Sequence, residues 1–333
     1  MLLYFPQMPG LERITCVLLG RIGDAITATP FFDAVRARYP DAQLRFVLSS
    51  SCRGLSGLIA PGGAPAPADD FRWVPRWGAA FVREAADVVV DLNPAPSKSA
   101  AAVVWLSDAK DKVGFRKKRL NGVFTRQIDE PREDEPMLER YGRLAAALGA
   151  RDYRPLPRVA LGDDKARARS VLDPLGFADD GAMALALHPG NFKKFDNRWP
   201  EDNFVALADR LLDDPRLRLF YLAGPGEQAQ VEAIARAAKR PIAVVAPGPL
   251  RQTSGVLQNM AALVCNITGT THLAHAVGVP TFGLYSGYTN AVWRPRHQRC
   301  GGVAAKDWES CRSLGVDEVH AGLRQFLAEF GKE

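Results

Sequence analysis

The chain has 333 residues, of which 47% are hydrophobic and 24% are charged, so the composition is that of a folded globular protein and excludes wholesale disorder. This length predicts two domains of about 150 residues each. No apolar run reaches the roughly 18 residues needed to cross a bilayer. The apolar start MLLYF lacks a basic flank, so we expect no signal peptide.

The five cysteines are scattered, odd in number and without CxxC spacing: Cys16, Cys52, Cys265, Cys300 and Cys311. This pattern excludes a disulfide framework and a zinc site, and it favours a reducing compartment. We therefore expect a cytoplasmic protein, with room for peripheral contact at the inner face of the cytoplasmic membrane.

In the first half, a strand at residues 14–19 runs into the glycine-containing corner 20–24 and then into a helix. Ile26, Phe31, Val35 and Tyr39 fall near one face of that helix. Two more strands are predicted at 44–48 and 87–92, and a helix at 137–148 after the acidic loop 129–136. Short apolar runs that alternate with helix-length segments are typical of βαβ units.

Residues 161–181 lose this rhythm and are expected to form a linker with a short helix. The alternation then restarts, with predicted strands at 183–187, 217–222, 242–245, 262–265 and 281–285 and a helix at 202–212. The sequence thus predicts an α/β protein with two Rossmann-like domains of mostly parallel strands, facing each other across a cleft. Their bounds are 1–160 and 182–316, followed by a C-terminal helix at 317–333.

Ligands of open α/β sheets bind beyond the carboxyl ends of the strands, so functional residues are expected at the corners. Asp24 lies in the first corner, near the start of a helix. It is interpreted either as a helix cap or as a general base, and spacing alone favours the cap.

In the second half, the segment 266–278 (NITGTTHLAHAVG) places a glycine, two threonines and His272 at a helix start, which suits a pyrophosphate. The alternative is a helix capped by its own hydroxyls. His188, Gly190 and Asn191 with Lys193, Lys194 and Arg198 form a second phosphate candidate, or a surface turn with incidental cations. The turn of Gly224, Gly226 and Glu227 is a weaker signal.

The net charge of +6 is unevenly distributed. Up to residue 160 there are 23 Lys and Arg against 18 Asp and Glu, whereas the remainder has 20 against 19. The densest point is Arg116, Lys117, Lys118 and Arg119. It is interpreted either as a solvated face or as a site for an anionic ligand or membrane surface. Nucleic acid is not expected, because no interleaved aromatics accompany the run.

Motifs of several other enzyme classes are missing from the sequence: Walker A, HExxH, GxSxG and a DxD pair at a strand end. We therefore expect no metal and no cofactor, and any diphosphate would be neutralised by helix ends and protein cations.

Taken together, four segments resemble glycosyltransferase family 9, the ADP-heptose–lipopolysaccharide heptosyltransferases. They are LGRIGDAITATPFFDAVRARYPDAQL, HPG…RWPEDNFVALADRL, LAGPGE, and NITGTTHLAHAVGVPTFGLYSG followed by Trp293 and Pro295. The resemblance implies a GT-B architecture, with the acceptor on the first domain and the nucleotide sugar on the second. It also implies an inverting, metal-independent transfer of a sugar, expected to be a heptose from an ADP-linked donor, to a lipopolysaccharide core or related envelope glycan.

Asp24 matches the aspartate of the family that deprotonates the acceptor. The acceptor-binding residues expected are Arg21, Thr29, Arg116, Lys117, Lys118 and Arg119. The donor-binding residues expected are His188, Gly190, Asn191, Lys193, Lys194, Arg198, Gly224, Gly226, Glu227, Thr268, Gly269, Thr270, Thr271 and His272.

Two positions depart from the family pattern. Ile267 stands where the family usually has an acidic residue before the TG turn, and Asn197 stands where it usually has a lysine. These departures leave one alternative open beside the transferase, a catalytically degenerate nucleotide-sugar-binding protein on the same fold. An epimerase or hydrolase on this fold is a third interpretation, which nothing in the sequence favours.

Overall fold

The computed structural model describes residues 10–63, 69–75, 85–118, 120, 122–191, 198–246, 248–296 and 299–330. The chain divides into two compact units. The first unit ends at Ala160 and the second begins at Leu161. Each unit contains a six-stranded sheet in which every recorded strand pair is parallel. The predicted α/β class with two Rossmann-like, parallel-stranded parts is thereby confirmed.

The sheet of the first unit has the strand order β3-β2-β1-β4-β5-β6. Its strands are β1 Arg13–Leu18, β2 Gln43–Ser49, β3 Asp70–Val74, β4 Val88–Asp91, β5 Asp111–Phe115 and β6 Arg126–Ile128. Its helices are α1 Ile22–Thr27, α2 Thr29–Arg38, α3 Lys98–Leu106 and α4 Met137–Ala147. The central strands β1 and β4 are almost wholly buried, as expected for a parallel sheet covered on both faces.

The sheet of the second unit has the order β12-β11-β10-β7-β8-β9. Its strands are β7 Met183–His188, β8 Leu217–Leu222, β9 Ala243–Val245, β10 Ala262–Asn266, β11 Thr281–Tyr285 and β12 Cys300–Ala304. Its helices are α5 Asp164–Leu172, α6 Glu201–Leu211, α7 Gln228–Ala237, α8 Leu250–Gln258, α9 Gly269–Ala276, α10 Gly287–Val292 and α11 Val316–Phe330.

Each sheet has one point where the chain reverses its direction of growth. In the first unit the chain goes from β1 outward to β3, and then returns to β4 on the other side of β1. In the second unit the same reversal separates β7 from β10. The connections diverge at such a point and leave a crevice outside the carboxyl ends of the two strands. Functional residues are therefore expected at these two crevices.

Several elements differ from the sequence prediction. The helix expected through Ile26 and Tyr39 is two helices, α1 and α2, which meet at Ala28. Pro30 explains the break, because proline has no N–H to donate and is tolerated only in the first turn of a helix. The strands β3, β5, β6 and β12 were not predicted, since they are short and carry charged residues or glycines.

The stretch expected to be a linker, 161–181, contains α5 and lies in the second unit. This helix packs closely on α8. A Cβ atom added at Gly255 of α8 would stand 1.9 Å from the carbonyl oxygen of Asp164. The glycine therefore sets the distance between the two helices. In the described residues, no helix has both the length and the apolar composition to cross a membrane.

Candidate functional site

The corner after β1 holds Asp24 in a defined position. Asp24 is the third residue of α1, and its Oδ2 accepts a hydrogen bond from the backbone N–H of Arg21 at 2.7 Å. A Cβ atom at Gly20 would lie 2.8 Å from the Cβ of Asp24, so only glycine lets the carboxylate fold back over the turn. The capping interpretation of Asp24 is thus what the geometry shows.

Two other side chains face Asp24 from neighbouring elements. Tyr141 of α4 is fully buried, and its hydroxyl donates to the backbone carbonyl of Asp24 at 3.5 Å. Burial raises the pKa of Tyr141 well above its usual value, and the charge of Asp24 adds to the shift. Cys52 lies in the 3-10 turn Ser50–Leu55, and burial raises the pKa of its thiol to about 11. Both groups stay protonated near neutral pH.

A buried polar network stands beside this corner, at the end of β4. The Oδ2 of Asp91 accepts from the ammonium of Lys117 at 2.6 Å, and the two side chains are 0% and 1% exposed. The Oδ1 of Asp91 accepts from the backbone and the side-chain amide of Asn93 at 2.9 and 2.7 Å. The Asn93 amide also donates to the carbonyl of Val17 in β1 at 3.3 Å. Asn93 therefore joins the ends of the two strands at the crevice.

The residues expected to bind the acceptor do not lie together on one surface. Thr29 is buried, and its hydroxyl donates to the carbonyl of Ile26 and accepts from the N–H of Arg158. Lys117 is buried against Asp91, because its side chain turns inward at the end of β5. These placements argue against acceptor roles for Thr29 and Lys117. Arg21, Arg116 and Lys118 are exposed, and Arg116 pairs with Asp129 at 3.3 Å. Arg119 lies outside the described residues.

Sequence reasoning missed two further exposed cations at this edge, Arg53 and Lys98. Arg53 follows β2, and Lys98 follows β4 at the start of α3. With Arg21 after β1 and Arg116 and Lys118 after β5, exposed cations follow the carboxyl ends of four adjacent strands. We call these five residues the basic edge. No single segment of the sequence contains all five residues, because only the parallel sheet brings the strand ends into one row.

In the second unit, His188 ends β7 and is buried. Its Nδ1 lies 2.8 Å from the carbonyl oxygen of Leu222 in β8. A carbonyl only accepts hydrogen bonds, so Nδ1 carries the proton, and Nε2 is an acceptor in the neutral ring. Burial lowers the pKa of His188, which keeps the ring neutral near pH 7.

Glu227 ties the turns after β7 and β8 together. Its two carboxylate oxygens accept from the N–H of Gly224 at 3.0 Å and from the N–H of Asn191 at 3.1 Å. A Cβ atom at Gly224 would lie 2.4 Å from Oε2 of Glu227, and one at Gly190 would lie 2.5 Å from Nε2 of His188. Asn191 has a φ of +83°, a conformation that asparagine tolerates better than most residues. The predicted residues of these two turns are therefore brought together.

Asn266, which the sequence prediction passed over, joins β10 to β7 at the second crevice. Its amide donates to the carbonyl of Pro189 at 3.0 Å, and its Oδ1 accepts from the N–H of Trp199 at 2.9 Å. Trp199 is fully buried and its indole donates to the carbonyl of Leu314 at 2.8 Å. The signal that could have found Asn266 is a polar residue at the end of an otherwise apolar, buried strand, and Asp91 has the same signature.

The helix α9 begins with its own cap. The Oγ1 of Thr268 accepts from the N–H of Thr270 at 3.2 Å, and the Oγ1 of Thr271 accepts from the N–H of Thr268 at 3.1 Å. Ile267, Thr268, Gly269 and Thr270 are partly exposed, whereas Thr271 is buried and its hydroxyl also donates to the carbonyl of Asn266. The hydroxyl-capped alternative is thus present in the structure. The positive end of the helix dipole remains at this position for a ligand.

His272 lies in the first turn of α9 and packs edge-on against Trp293, with the ring centroids 5.5 Å apart. Burial lowers the pKa of His272 to about 4, and the neighbouring His275 contributes. His272 is therefore neutral near pH 7, so it can hydrogen-bond to a phosphate but does not balance its charge.

Of the remaining predicted donor residues, Arg198 is buried and pairs with Glu201 at 2.6 Å. Gly226 is exposed in the turn before α7, with a φ of +79°. Lys193, Lys194 and Asn197 lie outside the described residues. Among the residues that the structure describes, no three His, Cys, Asp or Glu side chains gather as a metal-binding group would.

Comparison with known proteins agrees with this arrangement. Residues 76–315 match the model of the family described as glycosyltransferase family 9 (heptosyltransferase). The match includes the crevice of the second unit and the Asp91 network, and it begins after the turn that carries Asp24. No curated protein sequence matches the chain.

Solved structures extend the similarity to nearly the whole chain. A family 9 glycosyl transferase from Veillonella parvula has a TM-score of 0.79 at 17% identity, over 96% of this chain and 97% of its own. The ADP-heptose lipopolysaccharide heptosyltransferase II of E. coli has a TM-score of 0.74 at 17% identity, over 96% and 99%. The E. coli heptosyltransferase WaaC, solved with ADP-2-deoxy-2-fluoro heptose, has a TM-score of 0.65 at 20% identity, over 96% and 99%. Identities this low show the fold alone.

Proposed function

The chain belongs to glycosyltransferase family 9, and we propose that it moves a heptose from an ADP-linked sugar to an anionic glycan acceptor of the lipopolysaccharide-core type. The first unit binds the acceptor and the second unit binds the donor. The observation that carries the proposal is Asp24, a partly exposed carboxylate fixed by its own turn at the carboxyl edge of a parallel sheet.

In the proposed reaction Asp24 acts as the general base. It accepts the proton of the acceptor hydroxyl while that oxygen bonds to the anomeric carbon of the donor sugar, and the bond from that carbon to the diphosphate breaks. Direct displacement inverts the configuration of the anomeric carbon. Because Arg21 N–H already holds Oδ2, the carboxylate is oriented before the acceptor arrives, and no reorganisation is needed during the transfer.

The diphosphate gains negative charge as it leaves. The start of α9 stabilises that charge through the helix dipole and the hydroxyls of Thr268 and Thr270. The two turns that Glu227 joins lie at the same carboxyl edge of the sheet, where their glycines allow a ligand to approach the backbone closely. We infer that these protein groups suffice without a metal, so that transfer continues in the presence of EDTA.

The basic edge of the first unit supports the choice of an anionic acceptor. Its five exposed cations follow the ends of the strands that surround the Asp24 corner, where phosphate or carboxylate groups of a glycan would be attracted. Such a surface also permits peripheral contact with an anionic membrane. Ile267 replaces an acidic side chain with an aliphatic one beside the donor site, so the sugar hydroxyls are held there by fewer hydrogen bonds.

The proposal is tested by measuring sugar transfer from ADP-heptose to a Kdo-containing lipid A acceptor, with UDP- and GDP-sugars as competitors and with EDTA present. The configuration of the product is read by NMR. Asp24→Asn is the control, because its amide oxygen can keep the bond to Arg21 N–H but cannot take a proton. Turnover without acceptor, retention of configuration, or full activity of Asp24→Asn would each contradict the proposal.

A further inference from the structure

Burying the ion pair Asp91–Lys117 costs desolvation free energy, which a purely structural role does not explain. Both side chains are removed from water, and replacing such a pair by apolar residues of similar volume is often neutral or stabilising. The surrounding structure is nevertheless shaped to keep the pair. Phe124 covers the ammonium of Lys117, with its ring centroid 5.4 Å away, and a Cβ atom at Gly114 would lie 2.5 Å from that ring.

Both oxygens of the Asp91 carboxylate accept hydrogen bonds, from Lys117 and from Asn93. Lys117 takes Oδ2, and the backbone and side-chain N–H groups of Asn93 take Oδ1. Each of these bonds is stronger to an ionised carboxylate than to a neutral one. Lys117 holds the carboxylate of Asp91 in place, and that carboxylate fixes the orientation of the Asn93 amide.

Asn93 in turn holds the end of β1. Its amide donates to the carbonyl of Val17, which also accepts the N–H of Leu92 at 3.0 Å. Val17 is the next-to-last residue of β1, and the turn that carries Asp24 begins three residues later at Gly20. Tyr141 supports the same turn from behind, through its bond to the carbonyl of Asp24.

Building on the proposed function, we propose that Asp91, Asn93 and Lys117 are positioning residues, which hold the Gly20–Asp24 turn so that the carboxylate of Asp24 meets the acceptor hydroxyl in a productive geometry. None of the three touches substrate in this scheme. Their effect reaches the reaction through Val17 and the end of β1. A misplacement of about 1 Å at such a site costs about 100-fold in rate.

The test uses three variants of the full chain. Asn93→Leu keeps the volume and the ion pair but removes both side-chain donors. Lys117→Met keeps the length of the side chain but removes the charge from Asp91. The matched control is Arg36→Met, which breaks the partly buried Arg36–Asp69 pair before the amino end of β3, far along the strands from the crevice.

Hydrogen–deuterium exchange of the segment 18–27 gives a readout that does not depend on activity. We expect exchange about 10-fold faster in this segment in Asn93→Leu and Lys117→Met, and no selective change there in Arg36→Met. In the transfer assay the first two variants lose about 100-fold in kcat, with the KM for the donor within two-fold of the wild type. Arg36→Met has a lower Tm and keeps its kcat.

Unchanged exchange in segment 18–27 of Asn93→Leu would overturn the positioning role, and so would a kcat loss no larger than that of Arg36→Met. Should Lys117→Met fail to fold, Asn93→Leu still decides the question because its ion pair is intact. A wild-type protein that transfers no sugar contradicts the proposed function instead, and the exchange experiment then still tests whether the network holds the turn.

Discussion

The two units have the same kind of sheet topology, but the side chains at their crevices differ in charge. In each, an asparagine joins the two strands at which the sheet reverses: Asn93 between β4 and β1, and Asn266 between β10 and β7. Around Asn93 stand a buried ion pair and the carboxylate of Asp24. Around Asn266 stand the neutral rings of His188 and Trp199 and the start of α9.

In the proposed function, this difference corresponds to a division of chemistry between the units. A general base has to be ionised and held in one orientation, and the buried Asp91–Lys117 pair stands near Asp24. A diphosphate already carries its charge, and the second crevice offers it a helix dipole and neutral hydrogen-bonding side chains. The carboxylate of Glu227 in that crevice is held by the N–H groups of Gly224 and Asn191. The excess charge of +5 up to residue 160, against +1 afterwards, agrees with this division.

The first prediction separates the two roles of Asp24. Asp24→Asn and Asp24→Ala are both expected to lose about 10² to 10⁴-fold in kcat, because both remove the base. Only Asp24→Ala is expected to lose about 1 kcal/mol of stability, because only it removes the cap on Arg21 N–H. Transfer rates and urea unfolding measure the two effects. Equal stability of the two variants would show that the cap contributes nothing.

The second prediction concerns the donor crevice. In Gly190→Ala the new methyl group would stand against Nε2 of His188 and Oε2 of Glu227, so the two turns must separate. We expect a donor KM about 10-fold or more above the wild type, while the acceptor KM changes little, since misplacing binding groups by about 1 Å costs up to 100-fold. Gly162→Ala is the control, because its Cβ would meet no atom within 4 Å. An unchanged donor KM in Gly190→Ala would remove this turn from the donor site.

The third prediction uses the neutral state of His272. Its pKa is about 4 in the folded chain and about 6.5 when unfolded. Above pH 6.5 both states are neutral and the ring has no effect. As the pH falls below 6.5 the unfolded chain takes up a proton that the folded chain does not, so stability falls, by about 2 kcal/mol at pH 5. His272→Gln should lack this part of the slope in urea unfolding between pH 7 and 5, and an identical slope would contradict the assigned burial.

The fourth prediction tests the basic edge. Lys98→Ala is expected to raise the acceptor KM only a few-fold, because one exposed charge contributes less than about 1 kcal/mol. The effect should shrink as salt increases. Lys110→Ala removes an equally exposed lysine just before the amino end of β5 and should leave the acceptor KM unchanged. If both variants behave alike, the edge does not select the acceptor.

Much of the fold could be predicted from the sequence because buried parallel strands appear in it as short apolar runs. Leu217–Leu222 and Thr281–Tyr285 were predicted to the residue, and the corners that follow the strands were found with them. The strands β5 and β6 were missed, because outer strands with charged residues resemble loops when read alone. Pro30 was a readable signal for the break between α1 and α2.

The candidate site was less accessible to sequence reasoning. The run Arg116–Arg119 was interpreted as one cationic patch, yet Lys117 turns inward to Asp91, 26 residues away in the chain. Composition cannot distinguish an exposed lysine from a buried, paired one. Thr29 likewise follows a corner in the sequence, but its hydroxyl forms hydrogen bonds with Ile26 and Arg158 within its own unit.

By itself, the sequence determined the fold class, the order of the corners and the position of Asp24 in the first of them, because hydrophobic periodicity and turn residues are local properties of the chain. Only the tertiary structure decided which polar residues meet. The pairing of Asp91 with Lys117, the bridges made by Asn93 and Asn266, and the row of cations at the basic edge all arise when parallel strands bring distant segments to one edge of a sheet. Contacts of this kind depend on strand order, which the residues of a single segment do not determine.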